Sequence, residues 1–259
     1  NFINGAYTEI REGNPDKVYN IRHIDKDSGK VVYEDNIKTN HWVKSNWQFY
    51  TNYRIEVFDK EKLIFDHDLN LNGKKVLINL DSSSLGDTLA WFPFVEEFRK
   101  TYNSIVYVST FWNFLFDKQH YNKLNFVTPG SQVDNIYAQY IVGIHGDGLK
   151  NNQKNPGDTR KVPLQKIAAE YLNVTYKEIV PVLKYKRDES KIRNDKITFS
   201  IHSTSQAKYW NNPTGWTDLV KYFTDKGINP VLVSKEKNGH MGNYHPPQDM
   251  IVDKSGNYP

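Results

Sequence analysis

The sequence predicts an α/β protein in which a small antiparallel β module precedes two doubly wound parallel sheets, the second of them incomplete. Residues 1–72 contain short β-prone runs joined by turns, whereas from residue 73 apolar strand-like runs alternate with helical segments. The same alternation starts again after a charged segment at 184–195. A chain of 259 residues is long enough for about two domains of ordinary size.

The amino-terminal β module is predicted from hairpin and alternation signals within residues 1–72. The runs VYNIRHID and KVVYEDNI flank KDSGK, whose Ser-Gly pair is typical of a hairpin turn. Further along, Ile55 and Val57 alternate with Arg54 and Glu56, as in a strand with one buried face. Nothing in this module suggests catalysis.

Residues 73–183 are predicted to form the first α/β domain. The continuous apolar run LINL is typical of a parallel strand that is covered on both faces. A helix is expected over about 88–101, and Pro93 should kink it or make it restart. Strands are then expected in SIVYVSTF and LNFVTPG and helices in NFLFDKQHY and VPLQKIAAEYLNV, while IYAQYIVGI is a short apolar run.

The second α/β domain is predicted to follow the charged linker, over residues 196–259. KITFSIHS and NPVLVSKE have the composition of strands, and GWTDLVKYFTDKG between them has the pattern of a helix closed by Gly227. Roughly 65 residues are too few for a complete doubly wound domain. We therefore expect this domain to be truncated and the chain to be part of a longer protein.

Composition excludes several classes of site. The net charge is +4 and the positive residues are dispersed, so no nucleic-acid-binding stripe is predicted. The chain has no cysteine, which excludes disulfides, thiolate metal ligands and cysteine nucleophiles. No apolar run is long enough to cross a membrane and no signal peptide opens the chain, so a cytoplasmic protein is the default expectation. Aromatic residues reach 14 %, which suits either an aromatic core or a sugar or base site.

The first candidate site is Asp87, within the stretch SSSLGDTLAWFPFVEEF. The strand LINLD leads to the carboxyl edge of the predicted sheet, where ligands bind in open α/β folds. Gly86 would permit a strained backbone or the close approach of a ligand. Asp87 is then either a helix N-cap or a general base that accepts a proton from an acceptor hydroxyl. Trp91, one turn later, is either a core indole or the roof of a sugar site.

The second candidate site is the loop SIHSTSQAKYWNNPTGW. It joins a strand to a helix and holds Lys208 beside the hydroxyl residues Thr204 and Ser205. Exposed amides at a helix start and a nearby ammonium group together suit a diphosphate, whose negative charge builds as it leaves. The alternative is an ordinary surface lysine.

Glu236 is the third candidate site residue, and the histidines are candidate metal ligands. Glu236 follows the next strand, where its carboxylate could accept hydrogen bonds from a ribose diol or form a solvated charge pair. The histidines of GHMGNYHPP and the cluster at 66–68 lack the spacing of a metal site, so no metal is predicted.

The motifs in this order resemble the autotransporter heptosyltransferases, which are protein O-glycosyltransferases related to the lipopolysaccharide heptosyltransferases. The likeness rests on five stretches: SLGDTLAWFPFVEEFRK, STFWNFLF, FVTPGSQVDNIYAQY, VPLQKIAAEYL and AKYWNNPTGWTDLV. It covers about residues 73–236, and the β module in front also suits the family.

The resemblance implies a GT-B fold made of two Rossmann-like domains, with 73–183 on the acceptor side and 196–259 beginning the donor side. It implies that Asp87 is the catalytic base, with Gly86, Thr88 and Trp91 on the acceptor side. In the donor half, it implies that Lys208 holds the diphosphate of a nucleotide sugar, typically ADP-heptose, and that Glu236 lies on the nucleotide side. Transfer to a protein Ser or Thr hydroxyl is then expected to be inverting and to need no metal or cofactor.

Two departures from the family are visible in the sequence. Later donor-domain segments of the family are missing, and the Cys-ligated iron motif of some members has no counterpart because the chain has no cysteine. A non-catalytic module that binds a nucleotide sugar or a glycan, remaining from a truncated glycosyltransferase, is therefore the alternative function.

Overall fold

The computed structural model describes residues 1–11, 14–150, 154–185, 193–203, 205–234 and 243–254. The chain divides into two compact units, Asn1–Lys186 and Arg187–Pro259. The boundary between them falls within the segment 184–195 that was predicted as a linker. Glu236 and Thr204, two predicted donor-side residues, lie outside the described residues.

Two antiparallel sheets form the predicted β module. One sheet has four strands in the order β4-β3-β6-β7, and a two-stranded ribbon pairs β2 with β5. The strands of the module are β2 (Tyr7–Ile10), β3 (Val18–Asp25), β4 (Lys30–Lys38), β5 (His41–Lys44), β6 (Tyr53–Asp59) and β7 (Lys62–Asp68). The turn between β3 and β4 contains Gly29 at a φ of 68°, a left-handed conformation that glycine adopts without strain. The module and its hairpin are therefore confirmed.

A five-stranded parallel sheet forms the centre of the first unit, in the order β1-β11-β8-β9-β10. Its strands are β1 (Phe2–Ile3), β8 (Lys75–Leu80), β9 (Ile105–Ser109), β10 (Asn125–Val127) and β11 (Ala138–Val142). The predicted β module began at residue 1, but the first strand lies outside it, because β1 pairs with β11 of the parallel sheet. Phe2 is held there because its ring is buried against Tyr53 and Tyr137.

Both helices of this unit pack on one face of the parallel sheet. Helices α1 (Leu85–Tyr102) and α2 (Leu164–Leu172) contact each other, and they share one apolar cluster with alternate residues of β8, β9 and β11. The strand residues that lie between these alternate residues must point to the opposite face of the sheet, because side chains alternate along a strand. The helix-covered face therefore contains the main core, and the other face carries a cleft.

Helix α1 runs through its proline, which excludes one of the two predicted alternatives. The helix continues from Leu85 to Tyr102 with Pro93 inside it, so it does not restart there. Pro93 is buried with Phe92 and Phe94, and this packing offsets the one helical hydrogen bond that proline cannot donate. The helix ends at Asn103, whose φ of 50° is the left-handed conformation common at helix ends.

The helix predicted in NFLFDKQHY is wrong. Only a 3₁₀ turn over Asn113–Leu115 forms there, and Phe116 is extended. Phe116 forms an antiparallel bridge with Leu183, and its buried ring stacks on Phe92 with the ring centroids 3.5 Å apart. These contacts hold the chain extended in place of a second helical turn.

The second unit begins with the predicted strand, helix and strand. Strands β12 (Lys196–Phe199), β13 (Asn229–Leu232) and β14 (Val252–Asp253) form a parallel sheet in that order, and α3 (Gly215–Thr224) lies between β12 and β13 in the chain. Val220 of α3 is fully buried against the strands. Gly227, at a φ of 71°, donates its N–H to the carbonyl of Thr224 and closes the helix, as predicted.

None of the helices in the described ranges is long and apolar enough to cross a membrane. The cytoplasmic location stays a prediction.

His23, inside the β module, makes the stability of the fold dependent on pH. Its ring is buried, lies 3.0 Å through Nε2 from Thr8 Oγ1, and stacks on Tyr33. Burial lowers the pKa of His23 from 6.5 to about 4, because the charged ring would lose its hydration. The unfolded chain therefore binds a proton as the pH falls below 6.5, while the folded chain stays neutral until about pH 4.

We expect the free energy of unfolding to fall by about 3 kcal/mol between pH 6.5 and about pH 4 through this histidine. Urea titrations at several pH values in that window measure the change. The variant His23→Gln should lose this part of the pH dependence, whereas His120→Gln, at an exposed position, should retain it. If the free energy of unfolding changed equally with pH in His23→Gln and in the parent chain, the assignment to His23 would be contradicted.

Candidate active site

The strand order of the first unit places a topological switch point at the carboxyl ends of β8 and β11. From β8 the chain runs to β9 and β10 on one side, and then returns to β11 on the other side of β8. The ends of the two strands are joined by the N–H of Asp81, which donates to the carbonyl of Val142 at 2.8 Å. In open α/β sheets, ligands bind in the crevice at such a point.

Asp87 lies on the turn that leaves this edge. It is half-buried in the first turn of α1, and its Oδ2 accepts a hydrogen bond from Ser82 Oγ at 2.8 Å. Ser82 Oγ in turn accepts the N–H of Ser84 at 3.0 Å. The helix N-cap is Ser84, so the interpretation of Asp87 as the cap is wrong. Its carboxylate instead belongs to a short hydrogen-bonded chain at the strand-to-helix turn.

Gly86 leaves open space beside Asp87. It is exposed, and a Cβ added to it would meet only Ser84 Oγ at 4.0 Å. It is the second residue of α1 and is not among the glycines with positive φ, so the strained backbone considered for it is wrong. The room for a ligand to approach, which was the other role considered, is compatible with this geometry.

Two predicted acceptor-side residues belong to the core. Thr88 is fully buried, with its hydroxyl oxygen 3.5 Å from that of Thr110, and Trp91 is only 1 % exposed. The helical period of α1 turns both side chains toward the sheet. Both side chains are core residues, which agrees with the alternative of a core indole for Trp91, and their assignment to the acceptor side stays a prediction.

Sequence reasoning missed a cleft of about 380 Å³ on the face of the sheet opposite the helices. Polar side chains of neighbouring strands line it, among them Asn79 of β8, Ser109 of β9 and Gln139 of β11. The signal was present in the sequence, because Asn79 and Gln139 each interrupt an apolar strand and such amides require a polar partner when they are covered. Asp81 lies at the rim.

The loop after β11 is organised by Asn155, which is only 1 % exposed. Its Nδ2 donates to the carbonyls of His145 and Leu149, and its Oδ1 accepts from the His145 N–H and the Tyr171 hydroxyl. His145 lies over Gly143, where a Cβ would come within 3.0 Å of the imidazole ring. Asn155 thus fixes the part of this loop that adjoins the switch point.

In the second unit, Lys208 follows the carboxyl end of β12. It ends a 3₁₀ turn over Gln206–Lys208, is exposed, and has no ion pair among the residues that the structure describes. Ser205 precedes the turn and leaves its hydroxyl uninvolved in capping. The ammonium group is thus accessible at a strand edge, which is the geometry that an anion site needs.

The start of α3 is less open than predicted. Asn212 Oδ1 accepts the N–H groups of Thr214 and Gly215 at 3.1 and 3.0 Å, so two of the amides expected to face an anion are already satisfied. Gly215 is required there because a Cβ would lie 2.6 Å from the Trp210 ring. In this unit, Lys208 and Ser205 are better placed for a diphosphate than the amides of α3.

The described parts of the chain contain no cluster of three His, Asp or Glu side chains that could hold a metal ion. Their architecture, with the antiparallel module and two parallel α/β units, is that of a GT-B-like α/β protein, as predicted.

Comparison with known proteins finds autotransporter heptosyltransferases among the relatives of this chain. The chain is 31 % identical over 248 residues to the autotransporter heptosyltransferase Aah of Escherichia coli, covering 93 % of this chain and 62 % of Aah. It is 32 % identical over 246 residues to BAHTCr of Citrobacter rodentium, covering 93 % and 58 %. The resemblance to the autotransporter heptosyltransferases is confirmed. No protein-family model matches the chain.

The solved structures agree with this relationship. The iron-containing dodecameric glycosyltransferase TibC of enterotoxigenic Escherichia coli has a TM-score of 0.85 at 27 % identity, covering all of this chain and 67 % of TibC. TibC in complex with ADP-D-β-D-heptose gives a TM-score of 0.84. A further relative, 24 % identical, is the inactive autotransporter heptosyltransferase BimC of Burkholderia thailandensis. The chain spans about three fifths of the length of Aah and BAHTCr.

TibC is described as iron-containing. This chain has no cysteine, and its described ranges bring no three candidate ligands together, so the residues that the structure describes do not fit an iron centre.

Proposed function

We propose that the protein is a glycosyltransferase that moves a sugar, specifically heptose from ADP-heptose, to a hydroxyl acceptor such as a protein Ser or Thr. Asp87 is the general base: its carboxylate takes the proton from the acceptor hydroxyl as that oxygen attacks the anomeric carbon. The bond between that carbon and the diphosphate oxygen breaks, and ADP leaves with the electron pair. The attack is from the face opposite the leaving group, so the anomeric configuration inverts.

The observation that carries this proposal is the place of Asp87 at the switch-point edge, beside the open space at Gly86. Its Oδ2 accepts from Ser82, so one carboxylate edge is held while the residue stays half-buried rather than enclosed. A carboxylate that is oriented and accessible suits proton abstraction. The relationship to heptosyltransferases, one of them solved with ADP-D-β-D-heptose, supports the choice of donor.

Full-length protein incubated with ADP-heptose and candidate acceptor proteins tests the activity. Mass spectrometry of the acceptor should show the added mass of one or more heptose residues, and ADP should accumulate in the same proportion. Other nucleotide sugars, offered in parallel, measure donor selectivity. Release of ADP without a modified acceptor would point to donor hydrolysis and would contradict transfer to a protein.

Lys208 is proposed to stabilise the negative charge of the leaving diphosphate, with Ser205 beside it. We expect Lys208→Ala to lower kcat/KM for ADP-heptose about 10- to 100-fold, since a hydrogen bond to a charged group contributes about 1.5–3 kcal/mol. Lys226→Ala is the matched control, because Lys226 is exposed in the same unit and lies over the Tyr222 ring. An equal loss in both variants would show a general charge effect instead.

Thr204 and Glu236 are proposed as further donor-side residues, from their places after predicted strands and from the resemblance. The expectation that transfer needs no metal also stays a proposal, tested by comparing rates before and after treatment of the protein with a chelator.

A non-catalytic module that binds a nucleotide sugar is the second candidate. The relationship to the inactive BimC favours it, because the same family contains members without activity. ADP-heptose would raise the thermal unfolding midpoint of the enzyme and of the binding module alike, since a ligand that binds only the folded state stabilises it. Only the enzyme would also modify an acceptor.

A further inference from the structure

The cleft on the open face of the parallel sheet has a regular arrangement of polar and apolar side chains. In the register of the sheet, Asn79 of β8 is flanked by Ile141 of β11 and Ser109 of β9. One step toward the amino ends of the strands, Leu77 is flanked by Gln139. Two amides and a hydroxyl therefore project from an otherwise apolar floor, on the face that the helices do not cover.

These polar groups have no protein partner. In the part of the chain that the structure describes, the side chains of Asn79, Ser109 and Gln139 accept and donate no hydrogen bond, and neither does the Asp81 carboxylate at the rim. Asn79 and Gln139 are half-buried, so their amide groups remain accessible to a ligand that enters the cleft. An arrangement that leaves them open is suited to a ligand that supplies the partners.

One wall of the cleft is a tight turn that follows β10. The Ser131 N–H donates to the carbonyl of Thr128, and Gly130 has a φ of 83°, as expected for a type II turn with proline and glycine at its centre. The aromatic ring of Phe111 stands at the opening and is 57 % exposed. The turn and the sheet floor give the cleft a fixed shape, and Phe111 gives it an apolar surface that is accessible from solvent.

The lining excludes two classes of ligand. It contains no Lys, Arg or His, and its one charged group is the Asp81 carboxylate, so a phosphate or a nucleotide would be repelled. Its amides and hydroxyls make it unsuitable for a wholly apolar molecule, which would leave them without hydrogen bonds. A neutral ligand with several hydroxyl groups satisfies both conditions, because each hydroxyl both donates and accepts as an amide does.

We infer that this cleft is a binding site for a neutral sugar, with Asn79 and Gln139 hydrogen-bonding its hydroxyls and Phe111 packing against the apolar face of its ring. A volume of about 380 Å³ is enough for a small ligand. The helix that carries Asp87 packs on the other face of the sheet, and Asp81 at the rim of the cleft directly precedes Ser82, whose Oγ donates a hydrogen bond to Asp87 Oδ2. The inference goes beyond the proposed function and does not rest on it.

The test measures binding of a neutral sugar to the full-length protein, with ADP added at saturation to occupy a nucleotide site. Methyl α-D-mannopyranoside and methyl heptopyranoside are titrated and followed by saturation-transfer NMR, with glucose 6-phosphate as the charged comparison. We expect the neutral glycosides to bind in the presence of ADP and glucose 6-phosphate to bind at least tenfold more weakly.

Two variants locate the site. Asn79→Ala and Gln139→Ala should each weaken glycoside binding about five- to tenfold, the effect of losing one net hydrogen bond. Asn122→Ala, at an exposed turn position, is the matched control and should leave binding unchanged. Thermal unfolding midpoints are compared first; if Asn79→Ala fails to fold, Gln139→Ala, at a half-buried position nearer the start of its strand, carries the test.

Three outcomes would overturn the inference. The first is that no glycoside binds the full-length protein at millimolar concentrations. The second is that glycosides bind but neither variant changes their affinity, which would place the sugar elsewhere. The third is that a neutral extended peptide displaces the glycosides at a hundredfold lower concentration, which would assign the cleft to a peptide. Transfer activity is not needed for any of these measurements, so failure here leaves the Asp87 proposal standing.

Discussion

Replacing Asp87 by Asn is expected to lower the rate of sugar transfer by the full-length protein about 10²- to 10⁴-fold, the contribution of a positioned general base. Asparagine has nearly the same shape and can still accept the hydrogen bond from Ser82 Oγ, now at 2.8 Å from Asp87 Oδ2. It cannot take a proton from an attacking hydroxyl. The loss should therefore appear in kcat, with little change in the affinity for ADP-heptose.

The measurement is the initial rate of acceptor modification together with the dissociation constant of ADP-heptose. Asp16→Asn serves as the matched control, because Asp16 is an exposed residue of the β module. If Asp87→Asn transfers heptose at the parental rate, Asp87 is not the base. If instead the variant fails to bind ADP-heptose, Asp87 is needed for folding or for binding of the donor before the reaction.

The second large effect concerns the core between α1 and the extended segment at Phe116. Phe92 is fully buried and its ring contacts those of Phe116, Tyr121 and Phe126, at centroid distances of 3.5, 4.9 and 5.7 Å. We expect Phe92→Ala to lower the free energy of unfolding by about 3–5 kcal/mol, since it removes apolar burial and leaves a cavity.

Urea unfolding of the parent and the variant measures this difference through the shift of the midpoint at constant slope. Phe65→Ala is the control at an edge strand: its ring is 53 % exposed, so its removal should change stability by about 0.5 kcal/mol or less. Similar losses of unfolding free energy in the two variants would show that the rings around Phe92 move together and leave no cavity.

The sequence predicted those elements whose signals are local. The hairpin of the β module, the strand LINL and the helix closed by Gly227 each combine a periodic pattern with turn residues, and each is confirmed. α2 was also predicted, in VPLQKIAAEYLNV, and it forms over Leu164–Leu172.

The errors come from contacts that are distant in the chain. Phe116 stays extended because Leu183 pairs with it, and nothing within NFLFDKQHY indicates that partner. β1 is only two residues long and has no periodicity, yet burial of Phe2 places it at the edge of the parallel sheet. Local propensity does not report such pairings, because packing far along the chain decides them.

For the candidate site, the position of Asp87 on a strand-to-helix turn could be predicted from the sequence, but its environment could not. Whether a residue near the start of a helix faces solvent or the sheet depends on the helix phase. The helix N-cap is Ser84, three residues before Asp87, and the phase of the helix turns Thr88 and Trp91 into the core. The cleft could be recognised only once Asn79 and Gln139 were seen on neighbouring strands.

The pairing of β1 with β11 has a consequence for how the protein is made. Phe2 finds its partner Ala138 only after 136 further residues have been synthesised, which takes roughly 7–27 s at about 5–20 residues per second. During that interval the first strand has no sheet to join, and the β module can fold before it. Residues 2–3 are thus synthesised well before the sheet that they join, and they are among the last segments to be anchored in the first unit.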